Sequence, residues 1–144
     1  LKNLIEKIEK NMSIFLELKN QKLVTAIDGN IYLTIDSKWM AEAIENIIKN
    51  CMGHSKENTE IEIKAIQNPL YVQIEIKDHG TGISKKDLPR IFDKFYKGEG
   101  ASNNSFGIGL SLAKSIIDGQ NGEITVESKE NAGSTFAIKL YKSK

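Results

Sequence analysis

The 144-residue chain carries 20 Lys and Arg against 19 Asp and Glu, a formal net charge of +1, with 40% hydrophobic and 27% charged residues. That composition suits one globular domain with a sizeable core, and the scattered lysines form no basic stripe, so a nucleic-acid partner is not expected. No apolar run approaches the ~20 residues that span a bilayer, and the lysine-punctuated N-terminus is no signal peptide, so this stretch itself is expected to be soluble, with no direct membrane contact. The single cysteine, Cys51, cannot form an internal disulfide, which fits a reducing compartment; on the apolar stripe of a helix pattern it reads as an inert core thiol. The chain opens without methionine and passes straight into helical periodicity, which points to a fragment of a longer protein.

Leu1, Ile5, Ile8, Met12 and Phe15 recur at 4-3-4-3 spacing, a heptad-like seam of about two repeats. Over residues 1–20 this reads either as a domain-capping helix or as the end of a dimerising helix that links to a neighbouring domain. Residues 22–26 and 31–35 read as two strands joined through Asp28-Gly29-Asn30, a hairpin signal. From Ser37, a candidate N-cap, the period changes: Met40, Ala43, Ile44, Ile47, Ile48 and Cys51 form an i, i+3, i+4 helical stripe. Residues 60–66 alternate with Ile61, Ile63 and Ala65 on one side, Asn68-Pro69 turns the chain, and 71–78 return. Residues 85–94 look helical, 98–105 (Gly-Glu-Gly-Ala-Ser-Asn-Asn-Ser) form a small polar stretch expected to be mobile, and 110–117 form another helix. Strands over 123–128 and 135–141 follow, with Asn131-Ala132-Gly133 as the turn. An order of helix, two strands, helix, two strands, helices, two strands argues for an α+β class. The layers expected are a mixed sheet and helices covering one of its faces, a two-layer sandwich.

Val72, Ile74, Ile76 and Asp78 share one face of a period-2 strand, so the carboxylate points where the core residues point. Asp78-His79-Gly80-Thr81-Gly82 is therefore either the edge of a pocket or a strand-ending turn. Asn46 and Asn50, four apart, lie on one face of the long helix, and His54 continues the line. Their amide oxygens are hard neutral ligands that can complete a Mg²⁺ shell, or they are simply solvated. Gly107 and Gly109 would let backbone approach phosphates, with the following helix aiming N–H groups at them. Phe92-Asp93-Lys94-Phe95-Tyr96-Lys97 precedes the polar stretch; its aromatics read first as core packing.

Taken together, the order Asn-x-x-x-Asn, Asp-x-Gly-x-Gly, Phe-Asp-Lys-Phe-Tyr-Lys, Gly-x-Gly-Leu and Gly-Ser-Thr-Phe resembles the catalytic and ATP-binding domain of sensor histidine kinases, within the superfamily that includes gyrase, HSP90 and MutL. The resemblance runs from about residue 22 to 141. It implies a Bergerat-type ATP-binding fold over 21–144 with a lid at about 97–106, and ATP and Mg²⁺ as cofactors. By position, Asn50 would be the Mg²⁺ ligand and Asn46 would lie near the phosphates. Asp78, with Gly80, Gly82 and Ile83, would form the adenine-reading turn, the carboxylate accepting from the adenine amine. Phe92, Lys94, Tyr96 and Lys97 match the F box, with Lys97 able to reach a terminal phosphate and so counted with Asn46 and Asn50 as catalytic. Gly107, Ile108, Gly109 and Leu110 match the second glycine turn, and Thr135 the residue that supports the aspartate through water.

Departures accompany the match. Gly53 stands where relatives carry a lysine three residues after the metal asparagine; His54 stands where an aromatic or His stacks on the nucleotide; Ser105 replaces the first glycine of the lid pattern; His79 replaces a frequent asparagine and is expected to face solvent. Gyrase-like and HSP90-like relatives place a water-activating glutamate where this chain has Asn46, and an amide cannot take a proton. The resemblance thus implies phosphoryl transfer to a histidine on a separate dimerisation domain, with a response regulator receiver domain downstream. The alternative is a catalytically silent nucleotide-binding regulatory module. It further implies a cytoplasmic domain whose parent is anchored in the bacterial inner membrane.

Overall fold

The computed structural model describes residues 1–27, 30–93, 109–129 and 131–142. Their elements run α1 (Lys2–Leu18), β1 (Lys22–Ile27), α2 (Ser37–His54), β2 (Glu60–Gln67), β3 (Tyr71–Lys77), a 3₁₀ turn (Leu88–Arg90), α3 (Gly109–Gly119), β4 (Gly122–Lys129) and β5 (Gly133–Tyr141). The strands form one sheet in the order β1-β2-β3-β5-β4, with β1 parallel to β2 and every other pair antiparallel. This is the expected α+β sandwich with a mixed sheet.

Strand alternation decides which face the helices cover. Ile61, Ile63 and Ala65 of β2, Val72, Ile74 and Ile76 of β3, and Phe136, Ile138 and Leu140 of β5 are all buried. The intervening residues place Glu62 opposite Lys77 and Lys64 opposite Glu75, opposite charges at adjacent cross-strand positions on the other face. The whole stripe read on α2, from Met40 to Cys51, is buried against the core face, joined by Ala113 and Ile117 of α3.

On α1 the buried residues are Leu4, Ile5, Ile8, Met12 and Leu16, and the helix packs on α2 and β1. The steps from Ile5 to Leu16 are 3, 4 and 4, the period of a straight helix. Phe15, expected on the seam, is 49% exposed and carries the Lys49 ammonium 5.6 Å from its ring centre.

Three local expectations need correction. Residues 22–26 and 31–35 do not form a hairpin: β1 runs parallel to β2, and 31–35 are not a strand. The alternation itself was sound, since Ile31 is buried and Leu33 and Ile35 pack on the core. A period-2 pattern says which side chains turn inward and nothing about which backbone they pair with. Of the helix expected over 85–94, the described residues 85–93 form turns, a bend and the 3₁₀ segment. Pro89 lacks an N–H and disfavours helical geometry in the residue before it. The N-cap of α2 is Asp36, whose Oδ1 accepts from Trp39 N at 3.2 Å, while Ser37 is already helical.

Segments remote in sequence hold both ends of α2. Gln120 brackets Asp36, accepting its N–H at 2.9 Å and donating to its carbonyl at 3.4 Å. At the other end Lys19 Nζ donates to Met52 O at 2.6 Å, and Gln21, 5% exposed, donates to the Ser55 and Lys56 carbonyls. These donors meet the Met52 carbonyl of the last turn, which also accepts Ser55 N at 3.3 Å, and two carbonyls just beyond the helix. Asn68 Oδ1 accepts from Leu70 N and Tyr71 N, which makes the expected turn between β2 and β3. No helix of the described residues is long and apolar enough to cross a membrane.

The cap assignment is directly testable. Asp36→Ala should lower the unfolding free energy by about 1 kcal/mol and Ser37→Ala by less than about 0.5, read from urea midpoints at constant slope. Equal losses from the two substitutions would contradict the cap.

Candidate functional site

Asp78 continues the core-facing parity of β3 one residue beyond the strand and is 1% exposed. A carboxylate in that position costs several kcal/mol unless donors reach it, which is on the order of the whole stability of a domain. Two backbone N–H groups do. Gly80 N lies 3.0 Å from Oδ1, closing a local Asx turn, and Ser134 N, at the start of β5, lies 3.1 Å from the same oxygen. The Asp78 N–H in turn donates to Ser134 O at 2.9 Å.

Both contacts depend on missing side chains. A Cβ on Gly80 would stand 2.0 Å from the His54 carbonyl oxygen, so only glycine lets this turn lie against the end of α2. Thr81 N then donates to that same carbonyl at 2.9 Å. A Cβ on Gly133 would stand 2.3 Å from Asp78 O, and its φ of +90° is left-handed besides.

Cys51 of α2 supplies the third neighbour. It is fully buried, with the Asp78 carboxylate nearby. Burial pushes the thiol well above its usual range, and the nearby Asp78 carboxylate pushes it further. The inert-thiol reading holds, with a carboxylate for a neighbour. Cys51 thereby brings the part of α2 that carries the Asn46–Asn50 face up to the Asp78 turn.

Along that face Asn46 and Asn50 are both half-buried. Asn46 Nδ2 is shut away from solvent with no hydrogen-bond partner among the described residues, and a Cβ on Gly109 would stand 3.5 Å from its Oδ1. Asn46 therefore faces Gly109, the first residue of α3, with Leu110 next. A buried donor without a partner, opposite a helix N-terminus, suits an anion with several acceptor oxygens. The described residues hold no cluster of three His, Cys, Asp or Glu side chains fit for a metal. A hard cation here would have to be shared between an amide oxygen and the oxygens of a bound anion.

The remaining site residues fall into four groups. Gly82, with φ 73°, and buried Ile83 continue the Asp78 turn, and Phe92 packs edge-on against core Phe136 at 6.5 Å. His54 ends α2 half-buried, and its backbone carbonyl meets Thr81. Thr135 pairs with Lys77 on the sheet face away from Asp78. Ser134 takes the aspartate contact instead, because it shares parity with Phe136 and Thr135 does not. Lys94, Tyr96, Lys97, Gly107, Ile108 and the segment expected as a lid lie outside the described residues.

Two contributors were missed. Ser134 was legible as the residue two before Phe136 on a core-facing strand. Ser128, whose Oγ accepts from Ile83 N at 2.7 Å, carries no such signal. His79 faces solvent as expected, 2.9 Å from Glu62.

Residues 35–144 match the family described as "Histidine kinase-, DNA gyrase B-, and HSP90-like ATPase". The chain is 29% identical over 143 residues to the sensor histidine kinase YvrG of Bacillus subtilis, covering 98% of this chain and 24% of that protein. It is 35% identical over 115 residues to the sensor protein kinase WalK of Staphylococcus aureus, covering 76% of this chain and 28% of that protein. The chain thus spans about a quarter of the length of these relatives. The catalytic domain of histidine kinase ThkA superposes with a TM-score of 0.86 at 23% identity, over 99% of this chain and 92% of that one. Full-length ShkA in complex with AMPPNP superposes with a TM-score of 0.81 at 18% identity, over 99% and 30%.

Two measurements probe the packing around Asp78. Gly80→Ala should cost at least about 1–3 kcal/mol because its methyl meets backbone, whereas Gly53→Ala, with nothing within 4 Å of its Cβ, should cost nothing. The thiol of Cys51 is raised only in the folded state, so the folded protein holds that proton where the unfolded one loses it. Stability should fall as pH rises past the ordinary thiol value of 9.0, and Cys51→Ala should flatten that part of the profile.

Proposed function

Because the chain belongs to the histidine kinase-, DNA gyrase B- and HSP90-like ATPase family, as the catalytic domain of a sensor histidine kinase, we propose that it binds ATP with Mg²⁺ and donates the γ-phosphoryl group to a histidine on a separate dimerisation domain. The observation that carries this reading is the buried Asp78 carboxylate. With Oδ1 saturated by two N–H groups, the carboxylate is held in one orientation and keeps acceptor capacity for an exocyclic amine such as that of adenine. The orphaned Asn46 Nδ2 and the α3 N-terminus are donors fit for phosphate oxygens. Asn50 is the amide that would share Mg²⁺ with them, and the ion would supply neutralisation of the charge that builds on the phosphates.

Transfer rather than hydrolysis follows from α2. Asn46 has no proton-accepting group, and Glu45 lies about 100° around the helix from it, so water lacks a general base on this face. What remains is positioning. An acceptor imidazole nitrogen forms the new bond to the γ-phosphorus, the bond to the β–γ bridging oxygen breaks, and ADP leaves with that electron pair. On this reading the domain spans 21–144, with residues 1–20 leading into it from the dimerisation domain. The partners are that domain and a downstream response regulator, and the setting is the cytoplasmic side of a parent anchored in the inner membrane. Lys97, Lys94 and Tyr96 would close on the nucleotide from the lid, His54 would lie against it, and Gly107 and Ile108 would line its phosphates.

Gly53 favours a second reading, a nucleotide-binding module that transfers nothing. The place where relatives carry a lysine is open, with nothing within 4 Å of its Cβ.

Binding and transfer separate the two. ATP·Mg²⁺ at 100 times its Kd should stabilise the chain by roughly 2.7 kcal/mol in thermal unfolding, and Asp78→Asn should remove most of that, because its amide offers a donor where the amine needs an acceptor. With labelled ATP the chain alone should gain no acid-labile phosphate, whereas a supplied dimerisation domain should gain it, and Asn50→Ala should abolish the transfer. Binding without transfer supports the silent module, and Gly53→Lys restoring transfer would then name the missing group. No binding at all overturns both readings.

A further inference from the structure

The Ser128 hydroxyl, at the end of β4, occupies a junction that strand pairing does not require. Its Oγ accepts the Ile83 N–H at 2.7 Å, lies 2.9 Å from Ser134 Oγ and 3.2 Å from the Gly133 carbonyl. Ser128 and Ser134 are register partners between β4 and β5, so their side chains stand on one face. Ser134 exchanges both of its backbone groups with Asp78. One hydroxyl thereby ties the turn that leaves Asp78 to the strand that returns beside it.

Proton accounting shows what it controls. A hydroxyl has one proton and two lone pairs, and the Ile83 N–H takes one lone pair. If the Ser128 proton goes to the Gly133 carbonyl, the Ser134 proton turns to Ser128; if it goes to Ser134, the Ser134 hydroxyl accepts it. In either arrangement Ser128 holds the Ile83 N–H against the start of β5, whose Ser134 backbone groups meet Asp78.

The geometry points to Ser128 as a positioning residue for base recognition: it fixes the place of the Asp78 turn against the start of β5, and so narrows the site to a purine bearing an exocyclic amine. This rests on Asp78 reading the base as argued above. Ser128 itself touches no nucleotide, and its effect passes through Ile83, Gly133 and Ser134.

The test compares ADP with IDP, whose base presents an oxygen where adenine presents its amine, by displacement of a fluorescent nucleotide from the chain. Ser128→Ala should weaken ADP about tenfold, the worth of one hydrogen bond, while leaving weak IDP binding unchanged, so the ADP-to-IDP ratio falls. Ser128→Thr, which keeps the hydroxyl, should stay within about twofold of the parent. The losses from Ser128→Ala and Ser134→Ala should be less than additive in the double variant, because the two hydroxyls share one hydrogen bond. Should Ser128→Ala not fold, Ser128→Cys, with a thiol that hydrogen-bonds weakly, should show the same fall in ratio. Unchanged ADP affinity in the folded variants, or equal losses for ADP and IDP, would overturn the inference. Absence of ADP binding by the parent chain would instead overturn the nucleotide reading beneath it.

Discussion

A carboxylate sealed at the end of a core-facing strand needs donors at once, and in this fold they are two backbone N–H groups brought in by close backbone approach. That constraint reaches far. Gly80 lets the turn after β3 press on the last turn of α2, and Gly133 lets β5 enter against Asp78 itself. Three elements converge there because two side chains are absent. The desolvation avoided at Asp78 is comparable to the entire margin by which a small domain is stable, so the site and the fold are not separable here.

The long helix α2 translates this local arrangement into a site. Its apolar stripe fixes rotation about its own axis, and its ends are tied by Gln120 on one side and by Lys19 and Gln21 on the other. A helix pinned in rotation and at both ends presents Asn46 and Asn50 in one direction. Neutral amides suit that place. They offer oxygens to a cation and N–H groups to an anion without adding negative charge beside phosphates, which a carboxylate at position 46 would do.

Much of this was legible in the sequence because it is periodic. The alternation from Val72 to Asp78 said that an acid turns inward, and the stripe from Met40 to Cys51 oriented the asparagines before any coordinates. What was not legible is pairing. Ile31, Leu33 and Ile35 turn inward as the pattern says, yet the backbone partner of β1 is β2, some 38 residues away, and no side-chain period encodes that. Pro89 stands inside the 85–94 pattern, and its missing N–H outweighs the helix formers around it. Ser128 was invisible for a different reason. Its role comes from three contacts, with residues 45, 6 and 5 positions away, that exist only once β4 and β5 are in register.

The Asp78–Ser134 contact joins residues 56 apart in the chain, and β3 and β5 lie side by side despite everything between them. The entropy of closing such a loop grows only with the logarithm of its length, about 0.6 kcal/mol for a doubling. The connection from β3 to β5 is therefore free to differ greatly in length from one such protein to another at little thermodynamic cost, provided α3 and β4 still dock and a glycine still opens β5. Length variation is cheap in that connection and expensive at its two ends.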